Sequence, residues 1–255
     1  MFTENDSRPA TEASASTFWR DRTRITLTPV AAPSVLGLFG FAAATFMVSA
    51  NLAGWYGTAA TPFTLFPFAL TAGGIAQFLA GTWAYRARDA IATAMHGIWG
   101  SFWIAYGLHE LLIALGALPP TTAGGSAPGA FGFWFVVLAA ITWVATAAAA
   151  AESLALTGVL GMLASGSTLL AIAFLAAAPM IQVIGAYILI ISALIAWYLA
   201  SAILLESAHK RTVLPIGKRR VSDVLDLATW SIANPPDRGV ISAQLRQNSD
   251  ERADN

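Results

Sequence analysis

Thr93-Ala94-Met95-His96-Gly97-Ile98-Trp99-Gly100-Ser101-Phe102-Trp103 is the stretch on which the reading of this chain turns, because its Gly-x-x-Gly core lies inside an apolar run and is echoed twice. The echoes are Gly37-Leu38-Phe39-Gly40 and Gly158-Val159-Leu160-Gly161, so the first glycines stand 60 and then 61 residues apart. A second echo runs between them: Ile75-Ala76-Gln77-Phe78-Leu79-Ala80-Gly81, Ile141-Thr142-Trp143-Val144-Ala145-Thr146-Ala147 and Ile195-Ala196-Trp197-Tyr198-Leu199-Ala200-Ser201. This spacing predicts three copies of a two-helix hairpin. The competing account is compositional, since glycine and alanine are common in any membrane segment.

Working outward, 56% of the 255 residues are hydrophobic and 11% are charged, and the charges cluster outside the long apolar runs. A water-soluble domain of this size could not carry those runs on its surface, so the composition predicts an all-α, polytopic membrane protein. With 14 Lys and Arg against 14 Asp and Glu, no basic field points to nucleic acid. Cysteine is absent, which excludes disulfides, thiolate nucleophiles and Cys-based metal sites.

Residues 1–34 mix Ser, Thr, Ala, Pro and charges without an apolar period and are expected to form a largely disordered tail. Six spans are expected: Val35–Trp55, Phe63–Tyr85 with a local kink at Pro67, a third from the Arg86–Asp89 turn to Ala117, then Ala130–Ala151, Leu154–Ala177 and Ile181–Leu205. The first covers roughly 31 Å at about 1.5 Å per residue, one hydrocarbon thickness. The transmembrane domain therefore occupies 35–206 and a C-terminal tail 207–255. Every Lys and Arg falls in the N-terminal tail, the 86–88 turn or the C-terminal tail, so both termini are expected in the cytoplasm. Odd-numbered helices then run outward, and the three hairpins are parallel repeats.

The glycines have two readings. Small residues let helices approach closely in a bilayer. Alternatively, three glycine-rich faces converge on one axis and leave a narrow lumen ringed by bulky side chains near Phe39 or Phe41, Trp99, and Leu160 or Leu163, an apolar constriction able to gate by dewetting. Gln77 lies in the middle of the second span, where its amide can donate to a carboxylate without burying a cation, or can hydrogen-bond to a neighbouring helix. Thr45, Ser49 and Asn51 are weaker donors, with bonding to their own i−4 carbonyl as the ordinary alternative. His96 and the His109-Glu110 pair are ionisable groups at membrane depth. Thirteen residues separate the two histidines, about 140° around a helix, so a single proton path is not expected to hold both. Glu110 is expected to face the outer vestibule, where an ionised carboxylate would repel anions. No nucleophile with a base, paired buried carboxylates, metal-spaced histidines or phosphate loop is present, which argues against an enzyme and implies no cofactor.

Leu36-Gly37-Leu38-Phe39-Gly40-Phe41, Gly73-Gly74-Ile75-Ala76-Gln77-Phe78-Leu79-Ala80-Gly81, Gly100-Ser101-Phe102-Trp103 and Arg211-Thr212-Val213-Leu214-Pro215-Ile216-Gly217 resemble the acetate uptake transporter family, which includes the succinate–acetate permeases. The similarity runs over about residues 30–217. It implies a six-helix protomer in a homo-hexamer, each protomer carrying its own path for acetate and, in some members, succinate, by proton symport or as an anion channel. It also implies a constriction that maps to Phe41, Trp99 and Leu163. This chain departs from the family in several places. The Asn-Pro-Ala-Pro-Leu-Gly signature appears as Ala32-Pro33-Ser34-Val35-Leu36-Gly37, the glutamate near the end of the second helix is Ala84, the first-helix asparagine is Ser49, and His96 stands at a position that is commonly aromatic. Trp99 replaces a tyrosine, which should narrow the pore or move its polar contact.

The reading is thus a cell-membrane permease for acetate and related monocarboxylates. Its expected substrate-binding residues are Gln77, Thr45, Ser49, Leu36, Gly37 and Ala196, its pore constriction is Phe41, Trp99 and Leu163, and His96 is a candidate pH-sensitive group. Its expected partners are the lipid bilayer and a small carboxylate, without nucleic acid. The alternatives are a non-conducting sensor or scaffold acting through residues 221–255, and a permease for a different small metabolite.

Overall fold

The computed structural model describes residues 30–119 and 128–218, and the unit beginning at Ala32 is compact. Residues 1–29 of the expected disordered N-terminal tail, most of the 119–129 loop and the 221–255 tail lie outside the described residues, and the last two residues of the expected tail, Pro33 and Ser34, already belong to the first helix. Six helices follow one another: α1 (Pro33–Leu52), α2 (Thr61–Ala87), α3 (Ala90–Ala114), α4 (Pro128–Ala149), α5 (Leu154–Leu175) and α6 (Pro179–His209). Five of them are long and apolar enough to cross a membrane. The exception is α3, whose 25 residues include His96, Ser101, Tyr106, His109 and Glu110. Two of these, His96 and Glu110, are buried within the protein.

The ends follow local chemistry. Pro33 and Pro179 open α1 and α6 at positions where a missing N–H is not missed. Asp89 caps α3 by accepting from the Ala92 N–H at 2.8 Å, and Ser153 caps α5 by accepting from the Leu156 N–H at 3.2 Å. Arg88, at φ 58°, takes the left-handed conformation that stops α2 immediately before the Asp89 cap, so α2 and α3 are joined almost without a loop.

Within α2, residues Ala69–Ala76 wind as a π-helix just after the internal Pro67. Proline removes a backbone donor and displaces the ladder, and a wider turn is one way to absorb the change. The π segment places Gly73 beside Ala44 of α1 and Trp103 of α3, where a Cβ would come within 2.7 Å of both. Gly100 of α3 is similarly held against α2, an added Cβ lying 2.7 Å from the Phe78 backbone nitrogen.

The helices close a ring in the order α1, α2, α3, α4, α5, α6, with α6 returning to α1, and among the described residues α1 with α3 is the only non-neighbouring pair whose backbones approach. The α3–α4 seam is closed mainly by side chains. Phe102 meets Phe135 at 5.7 Å, Tyr106 meets Phe131 at 6.4 Å, and the Trp99 Nε1–H donates to Thr142 Oγ1 at 3.2 Å. Large apolar side chains such as Phe63, Trp83, Phe133, Trp143 and Trp197 cover the outer surface, as a lipid solvent requires.

Two differences from the sequence reading have physical causes. α6 continues to His209 rather than ending near Leu205, and stops where Lys210 adopts a left-handed φ of 56°. Residues assigned to the C-terminal tail then pack back: the Leu154 N–H donates to Gly217 O and the Ala155 N–H to Ile216 O, satisfying donors that the start of α5 leaves open. The Tyr198 hydroxyl fixes Pro215 O at 2.7 Å. The three Gly-x-x-Gly pairs also have unlike surroundings. Gly37 faces the His96 ring and Gly100 the backbone of α2, whereas Gly158 and Gly161 have only ordinary side-chain neighbours.

Candidate functional site

Inside the ring lie two cavities. The first, about 290 Å3, is lined by Phe41, Gln77, His96, Trp99, Leu160 and Leu163, and reaches Asp89, Glu152 and Lys218 at the end of the bundle that carries the charged turns. The second, about 40 Å3, is lined by Thr45, Ser49, Trp103, Glu110 and an aromatic wall of Phe102, Phe131, Phe135 and Phe174. Trp99 and Leu163 line both cavities. They form the partition, and Phe41 abuts it with its ring edge-on to Trp99 at 6.4 Å.

Phe41, Trp99 and Leu163 are each at most 3% exposed, so the three residues expected at the constriction are together and turned inward. Trp99 is held from behind. Its indole N–H donates to Thr142 Oγ1, and the Thr142 hydroxyl donates in turn to Leu138 O at 2.7 Å. The indole N–H thus anchors Trp99 to α4.

The expected ligand residues are divided by this partition. Gln77 faces the first cavity, and its Nε2 donates to the Gly73 carbonyl at 2.9 Å, a carbonyl of the π segment. One amide N–H is therefore committed to the backbone. Thr45 and Ser49 face the second cavity, and Thr45 Oγ1 has no protein partner. Gly37 presses on the His96 ring, where a Cβ would come within 2.5 Å of it, so glycine at 37 makes room for the histidine at the first cavity.

Leu36 and Ala196 line neither cavity. Leu36 is 49% exposed, one residue and about 100° around α1 from Gly37. Ala196 is wholly buried, and α6 lines the first cavity with Leu199 and Ile203 and the second with Leu189. His109 meets Phe131 edge-on at 4.8 Å and lines neither cavity, whereas His96 lines the first.

Some lining residues escaped the sequence. Ile216 and Lys218 reach the first cavity only because the chain after α6 folds back, and Lys218 is tied to Glu206 by a 2.7 Å ion pair. Across that mouth, burial first and the neighbouring Asp89 charge second raise the Glu152 carboxyl above its ordinary range. In the α1–α2 connection, burial and then the Glu110 charge raise the Tyr56 phenol. Among the described residues no group of three His, Asp or Glu side chains is placed to hold a metal ion.

The similarities agree with this architecture. No curated protein matches the sequence. The solved structure of the bacterial acetate channel SatP superposes with a TM-score of 0.67 at 27% sequence identity, covering 74% of this chain and 100% of that one. That protein is a channel, not an enzyme. Residues 17–218 match the sequence profile of the GPR1/FUN34/yaaH family, and the chain belongs to that family, the acetate uptake transporters that its motifs resemble.

Proposed function

We propose that the chain is a membrane permease for acetate and related small monocarboxylates, which move through the lumen of each protomer. The observation that carries this reading is the partition of Trp99, Leu163 and Phe41 between two cavities inside a closed helical ring. A small carboxylate has an anionic end and an apolar end. Gln77 in the first cavity and Thr45 and Ser49 in the second supply neutral donors for the anion, while the partition fits the methyl end. Neutral donors suit passage: they stabilise the carboxylate without the tight ion pair that would hold it.

The family and the likeness to a bacterial acetate channel support the substrate class. In this reading the protein lies in the cell membrane with both termini and the charged mouth in the cytoplasm, since Arg86, Arg88, Lys210, Arg211 and Lys218 all lie on that side of the ring. It assembles as a homo-hexamer, and the exposed aromatics of the outer surface meet lipid or neighbouring protomers.

The test is uptake of labelled acetate into proteoliposomes under imposed pH and voltage gradients. Saturable uptake driven by the pH gradient assigns symport, and uptake that follows voltage assigns a channel. Absence of uptake above protein-free vesicles would overturn the permease reading and favour a sensor acting through its C-terminal tail. Uptake of another small metabolite in preference to acetate would favour the reading prompted by His96 at the first cavity.

A further inference from the structure

The second cavity contains a group that simple anion passage does not call for. Glu110 is 6% exposed, lines this cavity, and accepts a hydrogen bond from the Tyr106 hydroxyl one turn earlier on α3. Among the described residues no Lys or Arg lies at this end of the ring to compensate the carboxylate. The titratable groups facing it are Tyr106 on its own helix and Tyr56 from the α1–α2 connection, with His109 beside it in sequence. α4, α5 and α6 contribute only Phe131, Phe135, Leu163, Leu170, Phe174 and Leu189 to the cavity, and α1 contributes no ionisable group. Thr45 Oγ1 and Trp103 Nε1, on residues each 3% exposed, line the same space without a protein partner.

A second carboxylate entering here ionised would face Glu110 in a small, largely apolar enclosure. Two carboxylates in such a space do not both stay charged, whereas one proton between them turns repulsion into a hydrogen bond. We propose that the second cavity is a subsite for a carboxylate and one proton, in which Glu110 and the substrate share that proton while Thr45 and Trp103 donate to the remaining substrate oxygen. No covalent bond changes; the proton comes from solvent on binding and leaves with the acid or returns to solvent. The volume of about 40 Å3, room for about three or four water-sized groups, limits occupants to the shortest carboxylic acids. This inference rests on the permease reading and adds to it which form of the substrate the second cavity holds.

The test measures proton uptake on acetate binding by purified full-length protein, by titration calorimetry in buffers of different ionisation enthalpy at about pH 7, beside acetate flux in proteoliposomes. The subsite predicts uptake of about one proton per acetate bound by wild type. It predicts little or no uptake by Glu110→Gln, which keeps the size and a donor but cannot share a proton. Thr45→Ala should weaken acetate binding about 3- to 10-fold and leave the proton uptake in place. Acetate binding by wild type without proton uptake overturns the subsite whether or not Glu110→Gln folds, and so does undiminished uptake in a folded Glu110→Gln variant. Loss of acetate binding and flux in wild type would instead overturn the permease reading itself.

Discussion

The cavity at the charged end encloses about 290 Å3 and opens between Asp89, Glu152 and Lys218, whereas the cavity beyond Trp99 encloses about 40 Å3 and is walled by four phenylalanines. The difference follows from the two sides of α3. Toward the charged end, the His96 ring packs directly on Gly37, and the chain after α6 folds back to bring Ile216 and Lys218 to the mouth. Toward the other end, Phe102, Tyr106 and Phe131 interlock across the α3–α4 seam and fill the space. On the proposed reading, the first end admits the hydrated anion and the other selects by size and by a shared proton.

The most disruptive change erases the comparison altogether. Gly100→Val pushes a side chain onto the Phe78 backbone, which cannot yield as a flexible side chain can; the expected cost of about 3 kcal/mol or more should appear as loss of monodisperse protein in size-exclusion chromatography. Gln77→Leu leaves the second cavity untouched and removes the amide from the first, so acetate flux in proteoliposomes should fall about tenfold while the protein remains folded. Thr142→Val frees the Trp99 indole N–H in a buried seam. A loss of about 1–3 kcal/mol is expected, read as a lower Tm together with weakened discrimination between acetate and longer acids.

The smallest effect concerns the charged mouth. Because the Glu152 carboxyl is raised, the folded protein favours its protonated form, so this contribution to stability is complete below the ordinary carboxylate range and is lost as pH rises through the raised value. Glu152→Gln should be slightly more stable than wild type near neutral pH and should lose that advantage near about pH 4, a difference of about 1 °C in Tm because the group is well solvated.

Much of the fold was legible because bilayer thickness sets a length and polar breaks mark the ends. All six helices lie where the apolar runs put them, within a few residues at each end. Partial legibility of the site has a physical cause as well. Phe41, Trp99 and Leu163 come together through motif positions on three helices, but no periodicity says that Leu36 turns outward or that Ala196 is too short to reach the lumen. The π segment at Ala69–Ala76 follows the Pro67 that the sequence marks as a kink, but no local pattern records that it sets Gly73 against Ala44 of α1 and Trp103 of α3. The same holds for Thr142 behind Trp99 and for Ile216 and Lys218 at the mouth, whose places depend on contacts between segments distant in sequence.

The central claim is that Trp99 closes the lumen between the two cavities, and it is tested most directly by the ratio of labelled acetate to labelled butyrate flux in proteoliposomes carrying wild type or Trp99→Ala. Two methylenes separate these acids, and a tight apolar passage can discriminate about tenfold or more per methylene. A wild-type ratio strongly favouring acetate that falls toward unity in Trp99→Ala, with total flux raised, is the predicted result. A ratio unchanged by the substitution in a correctly folded variant would contradict it.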